Sequence, residues 1–454
     1  MAKMKCASSA TVHDAHITRY ADTDRTDRTS LLGMLPQFVA VPAAHSGRRT
    51  AADVRGRSAR RGELRFRRQL RLHALPARRS SPGLIKMAAV GAPAPPALRP
   101  DPSPHAQPPP FTLEDVRRSI PGHCWEKQTH RSVLALLRDV ALVAATAAVA
   151  IAVDSPWLWP LYALVQGTTF WALFVVGHDC GHGSFSPSRR LNDLFGHVAH
   201  TPLLVPYHGW RISHRRHHAH HGHVNEDESW HPLEEHEYRS MDRITRLVRC
   251  ELPLAITISY PIYLFQRTPG RRGGSHFLPS SPLFRPTEAG PVLQSTAWVA
   301  AFAGLLATLA GTVGARLVLL TYGAPYVVFV SWLAAVTYLH HTDMRVPWFR
   351  GPAWSFLRGG LSTTDRDYGR LINQWHHHIG THVVHHLFPR IPHYHLVEAT
   401  RHAKPVLGEY YVEPERAAGL LPWHLLRTLR KSFAVCRYVD DHGEVVYYQR
   451  DVPE

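Results

Sequence analysis

From residue 214 to residue 221 the chain reads His-Arg-Arg-His-His-Ala-His-His, so His214, His217, His218 and His221 stand at i, i+3, i+4 and i+7. On a helix that spacing normally carries apolar core contacts. Here one helical face is imidazole. A buried neutral imidazole needs a partner for each ring nitrogen, so such density serves packing poorly and metal binding well. The spacing recurs: His178-Asp-Cys-Gly-His182 sets two histidines at i, i+4, and His382-Val-Val-His385-His386 repeats H-x-x-H-H. One such cluster is a weak signal, because histidine pairs are often merely solvated. Three clusters in patterned sequence, outside any low-complexity histidine tract, predict that the rest of the chain brings them together.

The charge is unevenly spread. Residues 1–86 hold 18 Lys and Arg against 6 Asp and Glu, which is +12 of the formal +17 and leaves +5 for the remainder. The basicity is thus a property of the N-terminal extension and no footprint of nucleic-acid binding. Residues 1–110, rich in Arg, Ala, Ser and Pro and closing on Pro108-Pro109-Pro110, are expected to be disordered. They carry the Arg and Ser of a transit peptide, yet also acidic residues that such peptides avoid. Met87 reads as an alternative start, which would leave residues 1–86 as upstream sequence. Five cysteines, Cys6, Cys124, Cys180, Cys250 and Cys436, lack any C-x-x-C spacing and fit a reducing compartment.

From Phe111 the pattern becomes that of a folded chain. Thr112-Leu-Glu-Asp115 predicts a capping box. Residues 134–153 and 157–177 are apolar runs of about 20 residues, the length that crosses a bilayer, with Asp154-Ser-Pro156 as the turn between them. A second pair is expected at 296–319 and 324–341, joined around Tyr322-Gly-Ala-Pro. Trp157, Trp159 and Tyr162 read as interfacial anchors. The stretches 194–207 and 252–266, interrupted by Pro206 and Pro253, are too short to span and read as interfacial or re-entrant. Two hairpins with both ends in the cytosol would place all three clusters on one membrane face. The Arg-poor far-side turns, with Arg316 as the exception, agree with that orientation. The predicted fold is all-α: a polytopic membrane protein with four transmembrane helices in two hairpins and a cytosolic helical cap carrying the histidines.

Eight or more neutral imidazoles suit iron and dioxygen; zinc uses three or four ligands, and magnesium or calcium would call for carboxylates. Two irons could remove hydrogen from an unactivated methylene, which no acid or base can do. Asp179, Glu226, Asp227 and Glu228 are candidate carboxylates for fixing the ring tautomers.

The residues that carry these clusters also carry a resemblance. His178-Asp-Cys-Gly-His182-Gly-Ser-Phe, Pro206-Tyr-His-Gly-Trp-Arg-Ile-Ser-His-Arg, Asp227-Glu-Ser-Trp-His-Pro and His382-Val-Val-His-His-Leu-Phe-Pro resemble the three histidine boxes, with their flanks, of membrane-bound plant fatty acid desaturases. Within that family Thr381 to Thr400, Leu361-Ser-Thr-Thr-Asp-Arg-Asp-Tyr-Gly, Ile120-Pro-Gly-His-Cys-Trp125 and Trp348-Phe-Arg-Gly resemble the omega-3 branch. Gly443-Glu-Val-Val-Tyr-Tyr is similar to its endoplasmic-reticulum members.

The resemblance implies a desaturase domain over residues 111–454 with a di-iron centre, dioxygen and an acyl chain esterified in a membrane glycerolipid such as phosphatidylcholine. It implies as metal ligands His178, His182, His214, His217, His218, His382, His385 and His386, and His341 by position after the last span. Asp179, His221 and His378 are expected around them. A separate electron donor is implied as well, cytochrome b5 in the endoplasmic reticulum membrane or ferredoxin in the plastid envelope, because no haem-binding H-P-G-G occurs in the chain. The expected activity is insertion of a cis double bond toward the methyl end of linoleoyl chains. An omega-6 desaturase, hydroxylase or conjugase would share the scaffold. A histidine-rich metal transporter or buffer would need ionisable residues along the spans, where only Arg138-Asp139 and Arg316 fall near the proposed limits. The chain departs from the family pattern at Arg216, at Ala219-His220 and at Thr342, none of them a box ligand.

Overall fold

A computed structural model describes residues 103–450 apart from 231, 248–249, 251–255 and 268–272. The extension through residue 102, with its expected disorder and the alternative start at Met87, lies outside the described residues, as does Pro253. Ordered structure begins ahead of Phe111, inside the stretch expected to be disordered. Pro104–Ala106 forms a 3-10 turn in which His105 is buried. The reason is Arg358, whose guanidinium is buried and takes the carbonyls of His105 and Ala106 at 3.3 and 3.0 Å; a proline-rich strand, poor in its own hydrogen bonds, has carbonyls to spare.

Helix α1, Leu113–Ser119, starts as predicted. The Asp115 amide donates to the Thr112 hydroxyl, and the Thr112 amide to the Asp115 carboxylate. Three helical runs are long and apolar enough to cross a membrane: Thr129–Val153, Leu158–His182 and the continuous stretch Pro286–His341. The first two are α2 and α3, joined through Asp154 in the left-handed conformation (φ 39°). Helix α3 is the central helix, and most of it is buried. Polar contacts fasten it to its neighbours, with Thr146 of α2 donating to Gln166 at 2.6 Å and Trp332 Nε1 donating to the Thr168 hydroxyl at 2.9 Å, as expected where apolar surface gives helices no mutual preference over lipid.

Helix α4, Arg189–His200, is 12 residues long and short of a bilayer crossing. Leu204, left-handed, and Pro206 then turn the chain into α5, Tyr207–His220. Helix α6, Ile256–Gln266, packs against the last apolar helix. The third apolar run consists of α7, Ala289–Leu309, and α8, Ala324–His341, with wide turns between them. Its reversal differs from expectation. Gly314 has φ 99° and ψ 136°, and the ring of Phe302 lies 5.9 Å from that of Tyr322, a pair that a straight helix would hold about 30 Å apart. The chain therefore folds back at Gly314, where the missing Cβ makes positive φ cheap. Pro325, expected at the turn, sits in the first turn of α8, where its missing N–H costs nothing.

Beyond α8 come α9, His382–Leu387, α10, His393–Leu407, and α11, Trp423–Val435. The described residues also hold four two-residue strands. Trp348–Phe349 (β1) pairs antiparallel with Val445–Val446 (β3), and Tyr438–Val439 (β2) with Tyr448–Gln449 (β4). The Phe349 amide donates to the Gly222 carbonyl and the Val224 amide to the Phe349 carbonyl, so β1, itself paired with the C-terminal β3, braces the loop that leaves α5.

Candidate metal centre

His178 and His182 occupy the last turn of α3, which runs on past the apolar stretch and ends only at Gly183 (φ 68°). The central apolar helix and the first histidine cluster are one rigid element. The second cluster lies on α5 as its spacing predicts, and the third is α9 itself. His341 is the last residue of α8.

These four elements converge, and the rings sort into two sets. His178, His182, His214, His218 and His385 bring one nitrogen each to within 4.8 Å of one another. His341 belongs both to a group with His217 and His221 and to one with His382 and His386, each within the same limit. His178 Nε2 and His182 Nε2 are 3.2 Å apart, and His341 Nε2 and His382 Nε2 are 3.4 Å apart. Neighbouring nitrogens on one ion, with bonds of about 2.1 Å, sit about 3.0–3.4 Å apart. Interleaving is close, for the His218 and His386 rings stack at 4.0 Å although they belong to different sets.

The donor chemistry fits a transition metal. Ring nitrogens of His178, His214, His218, His221, His341, His382, His385 and His386 are buried with no hydrogen-bond partner, an arrangement proteins avoid unless something else satisfies the atoms. Burial first, and then the crowding of other imidazoles, pushes His214, His218, His382, His385 and His386 well below the ordinary histidine range. The rings are neutral and offer lone pairs. Trp210 stacks on His214 at 4.5 Å and closes that side against water.

Carboxylates orient the rings. Asp227, fully buried, takes His217 Nδ1–H at 2.7 Å on one oxygen and His221 Nδ1–H at 3.0 Å on the other. Burial by itself would raise its carboxyl, but those two rings hold it well below the usual carboxylate range. Of its candidate companions, Glu226 is exposed and Glu228 forms a two-point ion pair with Arg267 at 2.8 and 2.6 Å. Asp179 lies 3.6 Å from His178 Nδ1 and accepts from His393 Nδ1 at 2.8 Å. His393 had no signal in sequence beyond its place in Pro392-His-Tyr-His, 214 residues from its partner.

His221, expected around the ligands, lies in one group with His217 and His341, its Nδ1 on Asp227 and its Nε2 without a hydrogen-bond partner. His378 is not in any of these groups. It is expected around the ligands, but His377 and His378 both take positive φ (51° and 58°), and the helix starts only at His382. His340 and His341 separate cleanly. His340 donates from Nδ1 to the Thr364 carbonyl at 2.6 Å and faces the Tyr368 hydroxyl at 3.0 Å through Nε2, so both its nitrogens are used and His341 alone reaches the cluster. The departures stay outside it: His220 stacks on Trp354, and Thr342 ends α8 in extended conformation.

The family model for fatty acid desaturase matches residues 155–415, more than half of the chain, and a domain of unknown function matches residues 99–148. Over 346 residues, 76% of this chain, the chain is 56% identical to the chloroplastic omega-3 fatty acid desaturase of Glycine max, covering 76% of that protein. It is 57% identical to the chloroplastic sn-2 acyl-lipid omega-3 desaturase (ferredoxin) of Arabidopsis thaliana, covering 77% of it, and 56% identical to the endoplasmic-reticulum omega-3 fatty acid desaturase of Vigna radiata var. radiata, covering 90% of it.

The chain belongs to the fatty acid desaturase family. As a desaturase it is an oxidoreductase, and its histidine groups are able to bind metal. The desaturase fold places them at one end of α3 and α8, where two long apolar helices stop.

Proposed function

We propose that the protein is an omega-3 acyl-lipid desaturase that inserts a cis double bond toward the methyl end of linoleoyl chains. The observation that carries this is one group of five imidazoles beside two groups of three that share His341, nearly all buried and largely without other partners, in a chain 56% identical to omega-3 desaturases. In this reading one iron is held by His178, His182, His214, His218 and His385, and a second by His217, His221, His341, His382 and His386. Two such irons supply the oxidation that converts a CH2–CH2 pair to CH=CH while dioxygen, two electrons and two protons become two waters.

The chain's own residues do the rest. Asp227 keeps His217 and His221 in the tautomer that aims Nε2 at the centre, Asp179 lies beside His178, and Tyr368 with the Thr364 carbonyl holds His340 away. Helices α2, α3, α7 and α8 are the four membrane crossings, with the histidines at the cytosolic boundary. Support comes from the apolar side chains that face outward on them, among them Leu134, Val153, Leu161, Leu305 and Val327. The membrane is that of the endoplasmic reticulum, the electron donor a separate cytochrome b5, and the substrate an acyl chain of a glycerolipid such as phosphatidylcholine. The C-terminal Gly443-Glu-Val-Val-Tyr-Tyr supports this compartment.

The test is lipid analysis of yeast that expresses the chain and is fed linoleate. A new double bond toward the methyl end is expected, abolished by His217→Ala or His385→Ala. A hydroxylated product or an omega-6 bond would overturn the assignment. Microsomes supplied with reduced cytochrome b5 should sustain the reaction, and dependence on ferredoxin instead would move the protein to the plastid.

A further inference from the structure

Apart from the histidine centre, four side chains from two distant segments bring metal-binding atoms together. His123 and Cys124 belong to the 3-10 turn Gly122–Trp125; His395 and Glu398 stand three positions apart on α10 and so share a face. One donor atom of each lies within 4.8 Å of the other three. His123 Nε2 is 3.0 Å from Glu398 Oε2 and 3.7 Å from Cys124 Sγ, and the His123 and His395 rings meet edge to face at 5.6 Å.

A half-exposed His–Glu ion pair over a buried thiol would be unremarked on most surfaces. Two facts point further. Cys124 is fully buried yet turns its sulfur toward an imidazole and a carboxylate. His395 is buried, and its Nε2 has no hydrogen-bond partner although α10 meets the turn there. Such an atom carries a desolvation cost that the ion pair beside it does not relieve. A tetrahedral ion with bonds of about 2.0–2.1 Å to nitrogen and oxygen and about 2.3 Å to sulfur spaces its donors roughly 3.3–3.6 Å apart. The 3.0 and 3.7 Å separations bracket that range.

We propose that His123, Cys124, His395 and Glu398 form a second metal site, of structural type, that takes a borderline divalent cation, zinc above all. One thiolate, two imidazoles and one carboxylate make a closed four-coordinate set; magnesium and calcium would need oxygen donors throughout. His123 and Glu398, partly exposed, give the ion its way in. Bound there, zinc clamps the Ile120–Trp125 segment to α10, the helix whose first residue, His393, reaches Asp179 beside His178.

Full-length protein purified from membranes and loaded with excess Zn2+ or Co2+ tests this. Washed protein is expected to keep about one zinc per chain in addition to its iron, counted by mass spectrometry. With Co2+ a near-ultraviolet thiolate-to-cobalt charge-transfer band is expected, which an all-imidazole centre cannot produce. Cys124→Ser and His395→Ala should lose the zinc and the band while keeping iron, the sign that the fold survives. Should either variant lose iron as well, His123→Ala decides, since that side chain is half exposed and supports no core: its zinc affinity is expected to fall by roughly tenfold or more. Wild-type protein that keeps no zinc beyond the iron centre, a cobalt band that survives Cys124→Ser, or an unchanged zinc affinity in His123→Ala would each overturn the proposal.

Discussion

Asp227 Oδ1 accepts from His217 Nδ1 at 2.7 Å while its second oxygen accepts from His221 Nδ1 at 3.0 Å. One fully buried carboxylate thus sets the tautomer of two rings that lie one helical turn apart at the end of α5. The loop carrying it is held in turn, since Ser229 and Trp230 donate their amides to the same oxygen at 3.0 Å.

Replacing Asp227 by Asn keeps the shape but offers an acceptor to only one ring. The expected result is a loss of metal affinity and of product of about 10–100-fold. Iron per chain and linoleate conversion are the measurements, and full iron with full activity would remove the carboxylate from the account.

Asp365 caps the start of α9. Its Oδ1 accepts from the His382 and Val383 amides, both at 2.7 Å, and its Oδ2 from the Tyr411 hydroxyl at 2.6 Å. Asp365→Ala leaves two buried amides and a hydroxyl unpaired at about 1–3 kcal/mol each, whereas Tyr411→Phe removes a single bond and should cost about 1 kcal/mol. Thermal unfolding of the purified protein should therefore rank Asp365→Ala well below Tyr411→Phe. Equal melting temperatures would contradict the capping role.

Gly167 marks a close approach of α3 and α8. A Cβ there would stand 2.4 Å from Val328 Cβ and 2.5 Å from the Pro325 carbonyl oxygen. Gly167→Ala is expected to force the helices apart and cost roughly 1–3 kcal/mol, while Gly290→Ala, which meets open space, should be tolerated. Detergent thermostability of the two variants compares them directly, and an unaffected Gly167→Ala would deny the close packing.

His236 and Asp441 form an exposed pair at 2.7 Å. The hydrogen bond to Asp441 raises the His236 ring above its ordinary value of 6.5, and the bond from His236 lowers Asp441. A histidine raised on folding contributes its contact below 6.5 and loses it as pH rises through the folded value. The β2–β4 pair should accordingly loosen from the Glu235–Ser240 segment as pH rises through the raised His236 value. A ring titration by NMR should find His236 above 6.5 in the native chain and near 6.5 in Asp441→Asn; no difference between the two would dismiss the pair.

Local order was readable because covalent geometry sets it. The i, i+4 spacing puts His178 with His182 and His214 with His218 on common faces, and the capping box at Thr112 needs no more than its own four residues. The same rules misled where the backbone left its regular path. Positive φ at His377 and His378 detached His378 from α9, and Gly314 took the reversal that Tyr322-Gly-Ala-Pro was expected to make.

Sequence by itself determined the donor chemistry, the family resemblance and which histidines share a helical face, since these depend on residue type and on about four residues of helix at a time. Tertiary structure alone decided that α5 is split between two groups, His214 and His218 to one and His217 and His221 to the other. It alone gave His340 its partners Thr364 and Tyr368, gave Asp179 its partner His393, and brought Cys124 to His395. The physical reason is reach: side-chain periodicity is written within one turn, whereas contacts between residues more than 200 positions apart exist only once α3, α5, α8 and α9 have packed around one another.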